Sequence, residues 1–466
     1  MAEDRLSVER FRLGRVVLRN CLILLICLSI LAPPIPSGGT FPFLKAEEVL
    51  IPIILALYAW LLMAGFVPMF RWNGMFLIGA LFSVCILFSI WYGAAALDQS
   101  VVARDFYEIP KVWFPVAFFT IAYETNLSEY GMRQLFYAYR FAILLVCLYA
   151  WAQWRGMPFT QTLNGLYSGG VHDQALFLTR RVYSTMGNPN VLGLLLSWAV
   201  VCFTLALLAK VGSRVVNGAM LLAAGVTIAM TASRYALLAS AAGIAAVFAI
   251  TLASSSFNRK RSLQLGLLIF VLPLLALVAT VVLQSNPHAL ARYQDLEHPG
   301  QVDSVRQRFD DLWRGALADF ARSPVLGFGP AKARFSGIIT DSEYLDVLKQ
   351  FGIIGFAAYI SFFLYPLSRL WLGLRTARKL PPSSEAHTRS QVLVLHFTFV
   401  LVILALLMNV GASTFYNLFL QGFIWLWLGV GARAATNIGS LVKTRPRFSN
   451  PALAIPPLLG GSGPVS

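Results

Sequence analysis

Charge is scarce in this chain, and acidic charge is scarcest. Only 21 Asp and Glu stand against 37 Lys and Arg, and charged residues make up 12% of 466. With 58% of residues apolar and a mean hydropathy of +0.68, a soluble domain is excluded, because it could not bury that fraction of apolar side chains. Strict apolar–polar alternation is also missing. The apolar stretches are continuous runs of about 17 to 22 residues, the thickness of a bilayer, which excludes a β-barrel and leaves an all-α, polytopic helical membrane protein. The five cysteines, Cys21, Cys27, Cys85, Cys147 and Cys202, all fall inside predicted spans. They read as small apolar core residues, not as a disulfide framework or a metal cluster. His172, His288 and His298 lie on loops without ligand spacing, and His396 lies within a span as a hydrogen-bonding group, so neither a metal nor a cofactor is assigned. Pairs of broken apolar segments in matching halves, the usual pointer to a transporter site, are missing too.

What is present is a series of twelve apolar segments, at about 16–32, 49–67, 74–95, 108–123, 135–153, 190–209, 215–231, 235–253, 264–283, 347–366, 391–410 and 414–432. Arg5, Arg10, Arg12 and Arg15 precede the first, which reads as an uncleaved span and not as a removed signal peptide. Twelve spans with the N-terminus inside put the C-terminus inside as well. The inside segments then hold 20 of the 37 Lys and Arg, with Arg259-Lys260-Arg261 and the 369–389 group as the firmest anchors. Most of the net charge of +16 is therefore topology, not a nucleic-acid footprint. The expected organisation is a basic arm (1–15), spans one to nine (16–283), a long extracytoplasmic loop (284–346), three more spans (347–432) and a cytoplasmic, disordered tail (433–466). Arg19 and Arg140 lie within spans. Each can snorkel, and Arg140 can equally face a polar cavity.

The long loop is the main polar interruption, and Asp303–Gly352 is its core. Ser304 with Gln307 makes a capping-box pattern. Val305, Phe309, Leu312, Ala316 and Phe320 follow at helical spacing, giving an amphipathic helix that stops before Pro324. A glycine turn, Gly327-Phe-Gly329, comes next. It is not a nucleotide loop, since no Gly-Lys-Ser/Thr follows. Thr340 with Glu343 then makes a second capping-box pattern at the start of an apolar run.

Three stretches carry a resemblance. They are Arg181-Val-Tyr-Ser-Thr-Met-Gly-Asn-Pro-Asn-Val-Leu-Gly193 before a span, Ser233-Arg234 at a span junction, and the long loop. The loop contributes Arg308, Trp313, Ser323-Pro-Val-Leu-Gly-Phe-Gly329, Asp341-Ser-Glu-Tyr-Leu345 and Gly352. Together, and in this order, they resemble the O-antigen ligase and Wzy-type polymerase superfamily of membrane glycosyltransferases. The resemblance implies a glycan linked to undecaprenyl pyrophosphate as donor, on the outer side of the bacterial inner membrane, and transfer with inversion. Ligases of this family begin the last motif with histidine. Here Asp341 stands in that place with the spacing to Ser342, Leu345 and Gly352 intact, which points to a polymerase of exopolysaccharide, capsule or O-antigen. A ligase acting on lipid A core is the alternative, and a transporter of the same lipid-linked glycan is the reading from another class. For a polymerase, a lipid-linked glycan is both donor and acceptor, and a chain-length co-polymerase is a possible partner.

The chemistry of the residues agrees with such a reaction. The leaving group is a pyrophosphate, and arginines offer planar, permanently charged, bidentate partners for its oxygens. Arg181, Arg234 and Arg308 form the expected clamp, with Arg180 and Arg306 as neighbours that could substitute. The plain alternative for Arg306 and Arg308 is a solvated helix face beside Asp310 and Asp311. Asp341 is the expected base or acceptor-orienting group, at the first turn of a helix, and its plain alternative is N-capping. Glu343 is the second candidate base, and its plain alternative is the capping box. Tyr344 can stack on a sugar ring, or serve as an interfacial tyrosine. Asn190 is expected to cap the helix that follows it.

Overall fold

The computed structural model describes residues 2–35, 44–68, 72–168, 180–253, 306–334, 340–378 and 386–444 apart from 413, 416 and 418, together with 284, 290, 291 and 380. The span expected at 264–283, the Ser304–Gln307 capping box, Val305, His172, His288 and His298 lie outside the described residues.

The protein is an all-α polytopic membrane protein. In chain order the helices are α1 (Ala2–Leu31), α2 (Ala46–Met63), α3 (Gly74–Ala96), α4 (Glu108–Glu124), α5 (Glu129–Trp154), α6 (Phe159–Ser168), α7 (Pro189–Ala209), α8 (Arg214–Thr231) and α9 (Arg234–Ala253). A π-helical turn (Arg308–Trp313) then leads into α10 (Arg314–Arg322), followed by α11 (Glu343–Ala377), α12 (Ala386–Met408) and α13 (Gln421–Thr444). A short antiparallel ribbon pairs Pro34–Ile35 with Leu44–Lys45. Eight of the described helices are long and apolar enough to cross a membrane: α1 from Glu9, α2, α3, α5, α7, α8, α11, and α12 from His387. The helix α1 begins at Ala2, within the stretch expected as a basic arm. At the other end α13 runs on to Thr444, well past 433, where the sequence suggests a disordered tail.

The reason α13 is less apolar than a lipid-facing span is its position. It packs against α4, α11, α12 and α1, and Trp425, Leu426, Trp427 and Leu428 have no exposed surface. A helix covered by protein on all sides needs shape complementarity more than overall hydropathy. At Gly429 a Cβ would sit 2.3 Å from the Phe119 carbonyl oxygen, so only glycine allows α4 and α13 to approach this closely. Around Phe415 an aromatic cluster of Phe82, Tyr359, Phe362, Phe363 and Trp425 joins α3, α11 and α13, with ring centroids 5.1 to 6.5 Å from Phe415.

The helices run up and down, so their connections fall into two sets. One set meets at one end of the bundle. There the Ser89 hydroxyl donates to the Leu326 carbonyl, the Lys332 amide donates to Asp105, the Gln421 side chain donates to the Lys111 carbonyl, and Thr185 donates to the Ile30 carbonyl. The other set, around residues 124–133, 209–217, 377–378, 386–391 and 437–441, meets at the opposite end, as in the bond between Asn437 and Asn126. All the residues singled out for chemistry fall at the first end.

Candidate functional site

Three loops build the site. The first, 180–190, carries Arg180 and Arg181. Arg181 donates from Nε to the Thr231 carbonyl at 3.0 Å and from Nη2 to Asn190 Oδ1 at 3.1 Å. Asn190 Oδ1 also accepts the Ser233 hydroxyl at 2.9 Å. Asn190 therefore does not cap α7. That cap is Asn188, whose Oδ1 accepts the Asn190 amide at 2.8 Å. The Asn-Pro-Asn motif divides its labour: Asn188 caps, Pro189 opens the helix, and Asn190 ties the first arginine loop to the second.

The second loop is the turn between α8 and α9. Ala232 takes a left-handed φ of 47°, and Ser233 Oγ accepts the Ala236 amide at 3.3 Å. That cap sets Arg234 at the head of α9, half-buried. Next to it, the Tyr235 hydroxyl donates to the Met408 carbonyl, and its ring packs against Gly411. Tyr235 thus joins the Arg234 corner to the end of α12, which the third loop also meets through Tyr344.

That third loop is the polar interruption. Arg308 opens the π-helical turn, a form of helix found disproportionately at functional sites. Its Nε donates to Asp341 Oδ2 at 3.1 Å, with the two side chains 32% and 42% exposed. Trp313 Nε1 donates to the Thr340 carbonyl at 3.1 Å, fixing the turn against the segment that holds Asp341. The solvated helix face suggested for Arg308 is corrected by this pairing, whereas Arg306 is exposed, as is Arg180. The amphipathic helix ends at Arg322, before Pro324, as its pattern indicates, but Phe309 is 57% exposed and Ala316 is its buried residue.

Asp341 sits one residue before the cap, not in the first turn. Its φ is 55°, in the left-handed region that costs most residues energy and that aspartate tolerates better than most. Ser342 is the N-cap residue and α11 begins at Glu343. The Thr340–Glu343 capping box does not form. Thr340 Oγ1 donates to the Ser342 carbonyl at 3.1 Å. The Glu343 carboxylate, 2% exposed, accepts the amides of Thr414 and Phe415 at 2.7 and 3.0 Å. The Tyr344 hydroxyl donates to the Leu406 carbonyl, and its ring packs edge-on to Phe356 and Tyr359. Glu343 and Tyr344 both clasp the end of α12.

That end, residues 406–412 with 414 and 415, is the hub that sequence reasoning missed. Asn409 is fully buried. Its carbonyl accepts the Glu343 amide, its Oδ1 accepts the Thr414 amide and hydroxyl, and its Nδ2 donates to Tyr359 at 2.7 Å. The turn therefore holds Tyr235 on one side and Glu343 and Tyr344 on the other. A lone asparagine ending an apolar run was the available signal.

The glycine motifs have one structural role between them. Gly352 breaks α11 with φ 62° and ψ −167°. The freed backbone is taken up by the 323–330 loop: the Ile353 amide donates to the Pro324 carbonyl at 2.9 Å, and the amides of Phe328 and Gly329 donate to the Lys349 and Gln350 carbonyls at 3.0 and 2.8 Å. A Cβ at Gly352 would lie 2.3 Å from the Val325 carbonyl oxygen, and one at Gly327 would lie 2.4 Å from the Gln350 backbone. The short helix before the break, 343–351, is aimed with Asp341 at its head.

Residues 218–360 match the family model described as O-antigen ligase. That stretch contains Arg234, Arg308, Asp341, Glu343, Tyr344 and Gly352, and leaves out Arg180 and Arg181. No curated protein matches the chain. Over residues 218–360 the chain is therefore similar to the O-antigen ligase family, which supports a place in the ligase and Wzy-type polymerase superfamily.

Proposed function

We propose that the protein is a polysaccharide polymerase of the bacterial inner membrane, joining undecaprenyl-pyrophosphate-linked oligosaccharide repeat units on the periplasmic side. The observation that carries this reading is the Arg308–Asp341 pair, 3.1 Å apart and partly exposed, at the head of α11. An exposed ion pair is worth about 0.2–1 kcal/mol, so a diphosphate can compete for Arg308 and release Asp341.

In the reaction a hydroxyl of one lipid-linked repeat unit attacks the anomeric carbon of another. The new C–O bond forms as the bond from that carbon to the pyrophosphate oxygen breaks, and the leaving oxygen takes the electron pair. Arg308, Arg234 and Arg181 face the growing negative charge, with Arg180 and Arg306 on its rim. Fixed cationic donors of this kind stabilise a transition state more than a ground state. Asp341 accepts the hydroxyl proton late, as suits a weak base and a transition state with oxocarbenium character. Glu343, held by two backbone amides, positions the hub; it is the less accessible of the two carboxylates. Tyr344 belongs to the same clasp.

The positive residues of the opposite end support cytoplasmic termini. A chain-length co-polymerase is a partner this function would use. The ligase reading is supported by the description of the matched family, and a transport reading has no such support. Incubation of purified protein with a lipid-linked repeat unit, with and without a lipid A core acceptor, separates them. A ladder of longer lipid-linked glycans marks a polymerase. Transfer to a lipid A core acceptor, with no ladder, marks a ligase and overturns the proposal.

A further inference from the structure

At the end of the bundle opposite the site, a cavity of about 310 Å³ opens between α5, the α7–α8 turn and the start of α12. Its charged lining is Arg133, Arg140, Lys210 and Arg389 against a single acid, Glu129. Glu129 is taken by Arg133 at 2.5 Å, which leaves three cations without a carboxylate among the described residues.

Arg140 is the unusual one. It is 8% exposed, in the interior of an apolar helix. A buried cation is costly unless an anion or a set of acceptors faces it. Its Nη2 donates to Asn217 Oδ1 at 2.7 Å. Asn217 is itself fixed by donating to the Val211 carbonyl at 2.9 Å, so the guanidinium is held in one orientation. Gly212 keeps the space open, since a Cβ there would lie 2.7 Å from Nη2. The Tyr137 ring stacks below, 5.8 Å away. Nε, buried, has no hydrogen-bond partner among the described residues. The result is a preset arginine fork with Lys210 and Arg389 at the rim.

We propose that this cavity binds a phosphate group of net negative charge, carried by an anionic phospholipid headgroup in the adjoining leaflet or present as free phosphate. The fork takes two oxygens of the phosphate and the rim cations add attraction. The binding is separate from the reaction at the other end and does not depend on which polymer is made.

The test uses the purified full-length protein in neutral detergent at fixed ionic strength. Phosphatidylglycerol, phosphatidylcholine and inorganic phosphate are titrated separately, followed by native mass spectrometry and by thermal unfolding. The expected result is saturable binding of phosphatidylglycerol, tighter than phosphatidylcholine. It should weaken about 30-fold in the Lys210→Gln/Arg389→Gln double variant, roughly five-fold per charge. Both rim residues are exposed, so the double variant should unfold at the wild-type temperature without ligand. Arg375→Gln removes a charge at the same end outside the cavity, where Arg375 stacks on Trp371, and should bind as wild type. If inorganic phosphate shows the same dependence on Lys210 and Arg389 and blocks the lipid, the site takes free phosphate; if only the lipid binds, it takes the headgroup. Equal binding of both ligands by wild type and double variant, or an equal loss in Arg375→Gln, overturns the proposal.

Discussion

Replacing Arg308 by alanine should separate catalysis from stability. The side chain is about one-third exposed and makes one ion pair, with Asp341. Removing a partly exposed pair costs about 0.2–1 kcal/mol of stability, a small shift in unfolding temperature for a protein of this size. In the reaction the same side chain faces the leaving pyrophosphate. Loss of one positioned donor to a developing oxyanion typically costs a factor of about 10² to 10³ in kcat, or about 2.7–4 kcal/mol. Activity should therefore fall at least a hundred-fold while the protein unfolds near the wild-type temperature. Arg308→Lys should recover only part of the loss, because an ammonium cannot reproduce the planar fork. The assay is conversion of a lipid-linked repeat unit to longer products by purified protein, with thermal unfolding measured on the same samples. The reasoning fails if Arg308→Ala keeps more than about a third of the activity, or if its activity falls only in step with its folded fraction.

Other outcomes follow from the same geometry. Asp341→Asn should lower kcat with little change in stability, whereas Glu343→Gln should destabilise by about 1–3 kcal/mol, since a buried acceptor of two backbone amides is replaced by a group that also carries donors. A stable, inactive Glu343→Gln protein would move the base to Glu343. Asn190→Ala should lower kcat more than it raises KM, because Arg181 loses its lateral partner and Ser233 its acceptor; unchanged kinetics would remove Arg181 from the clamp. Gly352→Ala should prevent accumulation of folded protein in the membrane, since the Cβ meets the Val325 carbonyl at 2.3 Å and the residue needs φ 62°. Normal levels of that variant would show that the break can straighten.

Apolar run length is a local property, and it places helices well. Every expected span that falls on described residues is met by a helix, although only eight helices have the length and hydropathy to cross on those grounds alone. The turn residues were equally local: Gly327 and Gly329 take φ of 70° and 75°, and the helix before Pro324 stops where it should. Composition also singles out the arginines as candidates, because permanently charged side chains are rare in such a chain.

What composition could not decide was partnership. Thr340 and Glu343 have the spacing of a capping box, yet Glu343 turns to Thr414 and Phe415, about seventy residues away. Asn190 looked like a cap and instead links Arg181 to Ser233. Asn409, Tyr235 and Tyr359 carry no motif, and they become a hub only because α12 ends against the heads of α9 and α11. Arg308 and Asp341 lie 33 residues apart and meet through a π-helical turn and a left-handed aspartate. Each of these is a choice between a near partner and a distant one of equal chemistry. Local patterns along the chain dictate a bundle of membrane helices, the places of its turns and the few charges it carries; which of those charges face one another is set by how the helices pack, because a buried polar group bonds to whatever the fold brings within reach.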